Sequence, residues 1–231
     1  MNNIIGLIQC LRNLPIMRQH VNPLSRFFQI PVEFPPITTL FEDASLPIHL
    51  DIGCARGRFL LKVAQMEPTW NYLGIEIREP LVKTAESDRK ALGLSNLYYV
   101  FCNANVSLKN WLENLQPGHI KRVSIQFPDP WFKKKHLKRR IFKPSLLLGI
   151  AKGLTEGNHL FFQSDVKEVI DEMIAITELT GYFDRYRSQK TIYNGTNPLL
   201  VPTERERYVM SKGLPVYRVS FKRNNLPLPL V

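Results

Sequence analysis

One carboxylate stands between two prolines at Phe127-Pro128-Asp129-Pro130-Trp131, and the chain runs on through Phe132 into Lys133-Lys134-Lys135-His136-Leu137-Lys138-Arg139-Arg140. Proline fixes φ and removes a backbone donor, so Pro128 and Pro130 stiffen the turn around Asp129. A rigid acid beside aromatic rings can grip a planar ring by accepting hydrogen bonds, and six Lys or Arg residues directly after it can track a polyanion. A charge run by itself is ordinarily a solvated loop; the ordered Pro-Asp-Pro-Trp lead-in argues for a site. Trp131 and Phe132 are placed either to stack on a base or to pack the loop, and His136 either to touch a phosphate or to stand by.

A second set of candidates lies upstream. Asp51 closes the apolar run from Ile48, and Gly53-Cys54-Ala55-Arg56-Gly57 follows as a tight turn. Gly53 and Gly57 let backbone approach a ligand closely, with Cys54 small enough to fit between them. The spacing lacks both the G-x-G-x-x-G of dinucleotide binders and the G-x-x-x-x-G-K-[ST] of phosphate loops, so no pyrophosphate cradle is indicated. Glu76 lies nineteen residues past Gly57 at the end of a second apolar run, where a carboxylate can accept both ribose hydroxyls. Asn103-Ala104 follows a third run, and the amide of Asn103 can read an adenine edge. Three strand ends of this kind describe a nucleoside without phosphates, as in S-adenosyl-L-methionine.

The elements that must position these residues alternate. Strands are expected at 48–52, 71–76, 97–102, 120–127 and 160–163, and helices at 58–64, 79–92, 106–115, 144–154 and 165–179, with last strands at 182–186 and 216–221. Gly93 is placed to end the second helix and Pro144 suits the first turn of the fourth. Such alternation predicts a doubly wound α/β sheet, in which ligands sit beyond the carboxyl ends of the strands. Asp51–Gly57, Glu76, Asn103, Asp129 and Asp165 all fall at those ends. Residues 1–45 carry little periodicity and several prolines, and read as an arm laid over a single domain spanning 46–223, with 224–231 as a tail.

With 231 residues, 44% of them hydrophobic, the chain can bury a full core. Its net charge of +11 is concentrated: seven of the 31 Lys and Arg residues lie between Lys133 and Lys143, with no acid among them. That suggests an anionic partner, nucleic acid first and anionic lipid second. The three cysteines lack metal-type spacing, so no metal is expected, and a reducing cytosol suits them. No apolar run approaches the ~20 residues of a membrane span, and the opening Ile4-Ile5-Gly6-Leu7-Ile8 is too short for a secretory signal. The expectation is a soluble cytoplasmic protein, monomeric or homodimeric.

Taken together, Asp51-Ile-Gly-Cys-Ala-Arg-Gly, Gly74-Ile-Glu76 and the segment from Phe127 to Arg140 strongly resemble the bacterial tRNA (guanine-N7-)-methyltransferases, over about residues 48–222. Ser164-Asp165 and Thr203-x-x-Glu206 agree with that family. The resemblance implies a class I S-adenosylmethionine-dependent fold, mostly parallel with an antiparallel last strand, and methylation of guanine 46 in the tRNA variable loop. It implies cofactor contacts from Asp51, Gly53, Gly57, Glu76, Asn103, Ala104 and Asp129, and substrate contacts from Lys133, Asp165, Thr203 and Glu206. It also implies RNA contacts from Lys135, His136, Lys138, Arg139 and Arg140. Asp51 stands where many members have Glu, and Asn103 where many have Asp. Thr203 and Glu206 equally spell a helix capping box.

Guanine N7 carries an in-plane lone pair, so its methylation needs no prior deprotonation. Asp129 is therefore expected to stabilise charge developing on the ring before acting as any base. Two other readings remain at this stage: a methyltransferase of the same fold acting on another RNA or a small molecule, and a non-catalytic RNA-binding protein.

Overall fold

The computed structural model describes residues 20–186 and 196–228. Its first strand, β1 (Ile48–Ile52), is buried at every position, as is β2 (Asn71–Glu76). Strands covered on both faces read as continuous apolar runs, which is why these two were legible without alternation. With β3 (Leu97–Phe101), β4 (Ile120–Gln126), β5 (Leu154–Ser164), β6 (Phe183–Arg185) and β7 (Tyr217–Arg223) they form one sheet in the order β3-β2-β1-β4-β5-β7-β6. β1 to β5 pair in parallel, and β7 runs antiparallel to both β5 and β6. β5 is longer than the expected 160–163, because the chain enters it at Leu154 directly from the preceding helix and pairs Leu154 with Ile120.

Helices cover both faces. α1 (Arg58–Met66) and α2 (Glu79–Ala91) pack Leu60, Val63 and Ala85 against Tyr72 and Leu97 on one side. On the other, α3 (Ala104–Asn114), α4 (Pro144–Gly153) and α5 (Lys167–Thr180) bury Leu108, Leu147, Ile150, Ile170 and Met173 against β1, β4 and β5. α3 starts two residues earlier than expected because Asn103 is its N-cap, the side-chain oxygen accepting from Asn105 N at 3.1 Å. α5 ends at Gly181, whose φ of 72° gives the left-handed cap that only glycine adopts cheaply. α6 (Glu204–Ser211) opens on the capping box spelled by Thr203 and Glu206.

Sequence order reverses direction between β1 and β4, which makes their carboxyl ends the topological switch point. The N-terminal segment crosses this end of the sheet. Phe27 and Phe28 pack on Phe101, Val32 N donates to Ser107 Oγ at 3.0 Å, and Phe34 stacks on Trp111 at 5.0 Å. Among the described residues, no helix is long and apolar enough to cross a membrane.

Candidate active site

A cleft opens at the switch point, with about 800 Å³ between its walls, open mouth included. Its walls take Gly53 from the end of β1, Glu76 from β2, Asn103 and Ala104 after β3, and Gln126 and Asp129 from the end of β4. Five of the seven expected cofactor contacts thus meet in one space.

The glycine turn is built by sterics. Gly57 has a φ of 66°, and a Cβ there would lie 2.5 Å from the Tyr99 ring, whose hydroxyl donates to Gly57 O at 2.7 Å. Gly53 has a φ of 85°, yet a Cβ would meet no protein atom within 4 Å; this glycine borders open cleft. Gly57 therefore shapes the turn, and Gly53 leaves room for a ligand. Between them Ala55 is forced to a φ of 51°, a conformation that costs a non-glycine residue about 1–2 kcal/mol.

Glu76 is buried and fully engaged. Its Oε1 accepts from Arg78 N (3.0 Å) and Arg78 Nε (2.9 Å), and its Oε2 from Ala55 N (2.9 Å) and an Arg78 terminal nitrogen (3.2 Å). Ribose hydroxyls expected at this carboxylate would have to share it with Arg78, whose side chain is about one-third exposed. Burial disfavours the Arg78 cation, but the Glu76 hydrogen bonds and charge outweigh it and leave its pKa above the ordinary value.

Asp51 stands behind the cleft wall rather than on it. Ser124 Oγ donates to its Oδ1 at 2.6 Å and Gln126 Nε2 at 3.1 Å, and it is Gln126 that faces the cleft. Burial pushes the Asp51 carboxyl up to about 6, against the pull of those two hydrogen bonds and with a smaller push from the Glu76 charge. Gln163 Nε2 then donates to Gln126 Oε1 (2.8 Å) and to Glu206 Oε2 (3.2 Å), joining the cofactor side to α6 through a buried polar chain.

That chain explains what Thr203 and Glu206 do. Thr203 Oγ1 accepts from Glu206 N at 3.0 Å, Glu206 Oε2 accepts from Thr203 N at 3.3 Å, and Arg218 and Asn197 donate to the same carboxylate. The capping-box reading is realised, and Glu206 is buried inside the domain. Asp165 is ion-paired with Arg205 of α6. Neither Asp165, Thr203, Glu206 nor Lys133 reaches the cleft wall.

The loop after β4 is strained at both ends of its acid: Phe127 and Trp131 have φ values of 49° and 44°. Asp129 lines the mouth with its side chain half exposed. Trp131 packs the loop, with His136 edge-on at 5.7 Å and the Arg139 guanidinium over its face at 5.1 Å. Phe132 is the exposed ring. Lys134–Arg139 is a short 3-10 helix along which Lys134, Lys135 and Lys138 are exposed, as is Lys133 before it, and none of the four forms an ion pair among the described residues. Desolvation, then the charges of Arg139, Lys135 and Lys133, hold His136 below its ordinary pKa.

Arg140 corrects the expectation of an unbroken RNA-facing run. Its side chain is buried, donating from Nε to Pro130 O at 2.8 Å, and it is ion-paired with Glu168 and Glu172 of α5. A guanidinium committed to two acids and a carbonyl braces the loop against the domain. Asn103 differs from expectation in a similar way: besides capping α3, its Nδ2 donates to the carbonyls of Pro23 and Phe28, both at 3.1 Å.

Three polar cleft residues were not foreseen. Arg78 and Gln126 carry a weak signal, one lying two residues past a strand-end acid and the other ending a strand. Asn105 carried none; its Nδ2 donates to Ile141 O at 2.8 Å and its Oδ1 is buried without a partner in the cleft wall. An orphaned acceptor there, with the orphaned Arg139 Nε, suits a ligand that brings both a donor amine and an acceptor. No group of three or more His, Cys, Asp or Glu able to hold a metal occurs among the described residues.

Comparison with known proteins agrees with this geometry. A family described as putative methyltransferase matches residues 45–219. The tRNA (guanine-N(7)-)-methyltransferase of Synechococcus sp. (strain WH7803) is 58% identical over 213 residues, covering 92% of this chain and 90% of that one. The protein of the same name from Prochlorococcus marinus (strain MIT 9313) is 53% identical over the same span. Among solved structures, the 16S rRNA methyltransferase KamB superposes with a TM-score of 0.55 at 17% identity, covering 80% of this chain and 90% of that one, a likeness of fold alone. The sheet order, with its antiparallel β7, is that of the class I methyltransferases. Fold, matched span and identity over nine-tenths of the chain converge: this chain belongs to the tRNA (guanine-N7-)-methyltransferase family.

Proposed function

We propose that this protein transfers a methyl group from S-adenosyl-L-methionine to N7 of guanine 46 in the variable loop of tRNA. The observation that carries the reading is the placement of Asp129. It sits at the mouth of the cleft at the strand ends, on the same braced loop as four exposed lysines that form no ion pair among the described residues.

The cleft residues fit the methyl donor. Gly53 clears space, Glu76 with Arg78 offers a carboxylate for a ribose, and Asn105 Oδ1 is an acceptor for an amine. When bound, S-adenosyl-L-methionine supplies an electrophilic methyl group and leaves as a neutral thioether while the positive charge passes to the purine. Asp129 accepts hydrogen bonds from the guanine edge and stabilises that charge; N7 needs no base, since its lone pair is already free. Arg140 and the two prolines hold Asp129 in place, so little reorganisation accompanies the transfer. Lys133, Lys134, Lys135 and Lys138 bind the RNA backbone, displacing counterions. In this reading residues 46–223 are the catalytic domain, and the protein works in the cytoplasm.

Mass spectrometry of tRNA incubated with the purified protein and methyl donor tests this directly. The expected product is N7-methylguanosine at position 46. Methyl transfer to another atom or position, or none, sinks the proposal while leaving the fold intact.

A further inference from the structure

The N-terminal segment does more than cover the sheet. Val21 and Pro23 form part of the cleft wall itself, and the segment is fastened by Asn103 to the carbonyls of Pro23 and Phe28, and by Phe27 and Phe28 to Phe101. At its described start, His20 Nδ1 lies 3.1 Å from Asp129 Oδ2, and its ring packs on Trp131 at 5.4 Å. An ionised carboxylate only accepts, so the imidazole N–H donates. The contact spans 109 residues of sequence, and both side chains remain about half exposed.

We propose that the segment from His20 to Phe28 is a wall of the active site and that His20 is a positioning residue for Asp129. The proposal rests on the methyl-transfer reading above. The terminal torsion of an aspartate is broad and roughly two-fold, so an unheld carboxylate samples many orientations. Pro128 and Pro130 restrain the backbone of Asp129 but not that torsion. His20 holds Oδ2, and Oδ1 is left aimed to accept from the purine. Trp131 keeps the imidazole in place, because its ring is itself wedged by His136 and Arg139. Fixing a charge-assisted hydrogen bond before substrate arrives is the kind of preorganisation that raises turnover rather than affinity.

The test compares wild type with H20A, H20N and H20Q, alone and combined with D129N, using a tRNA transcript and S-adenosyl-L-methionine. H20A is expected to lower kcat about 10- to 100-fold, the range for a hydrogen bond to a charged group, with KM for both substrates within about threefold. H20N, whose amide nitrogen occupies the δ position, is expected to recover most of the rate, and H20Q to recover little. In the D129N background H20A is expected to add no further loss, because its effect passes through Asp129. Thermal midpoints should not move, since His20 is half exposed. Normal or faster turnover by H20A overturns the proposal, as does an H20N no better than H20A, or losses that simply multiply in the double variant. In each of those cases methylation by the wild type still stands; a wild-type protein that methylates no tRNA overturns both readings.

Discussion

The two sides of the cleft are made by opposite means. The strand-end side is buried and saturated: Glu76 accepts four hydrogen bonds, and Asp51 is sealed behind Gln126. The loop side is fastened at separate points, among them Phe127 N to Gln163 O at 2.7 Å and Arg140 to Pro130 O and α5, and its four lysines between those points lie in solvent. A small ligand can be met by a rigid, prebuilt wall, whereas a polyanion is bound by releasing counterions and requires accessible charge. Burial thus separates cations that look alike in the sequence: Lys138 lies in solvent, while Arg140, two residues on, is spent on the fold.

The largest break in this comparison comes from the residue where the two sides meet. D129N is expected to lower single-turnover methylation by about 10²–10³-fold while leaving donor affinity, measured by calorimetry, nearly unchanged. Retained turnover would remove Asp129 from the chemistry.

On the rigid side, G57A should lower unfolding free energy in urea by about 2–4 kcal/mol, combining a left-handed backbone with a clash at the Tyr99 ring. G93A, with a φ of 64° but open space around it, supplies the control and should cost only about 1 kcal/mol. Equal costs would show that the close approach to Tyr99 contributes nothing.

Asp51 sharpens the contrast through pH. Its folded carboxyl is raised from the ordinary 3.8 to about 6, so the folded state binds the proton more tightly. Its contribution is therefore favourable below that window and declines as pH rises from about 4 to about 6, levelling off above. Relative to D51N, the wild type should lose about 3 kcal/mol of stability across that range. Parallel pH curves for the two proteins would place Asp51 in solvent.

The smallest effects separate the cations. R140A should cost about 1–2 kcal/mol of stability, because Glu168 and Glu172 are themselves largely exposed and only the Arg140 side is buried. K138A should leave stability unchanged and reduce the salt slope of tRNA binding by about one unit. The reverse pattern would mean that Arg140 faces the RNA.

Much of this was legible locally. Apolar runs punctuated by glycine and proline marked every strand of the parallel sheet, and Thr203-x-x-Glu206 spelled a capping box that the structure contains. α3 starts two residues earlier than expected because the Asn103 side chain, which also lines the cleft, caps the helix and anchors the N-terminal segment, and those partners are not visible locally. Nothing local distinguishes Arg140 from Arg139: the acids that claim it lie 28 and 32 residues further on.

By itself the sequence determined the alternating architecture, the glycine turn, the acids at the strand ends and the concentration of charge after Asp129, because each is set by neighbours within a few residues. The tertiary structure alone decided which of those groups face the cleft, which are consumed in bracing it, and that His20 meets Asp129 across 109 residues. Burial and hydrogen-bond saturation depend on chain segments brought together only when the sheet forms, and the same residue type can be ligand, brace or surface according to what arrives beside it.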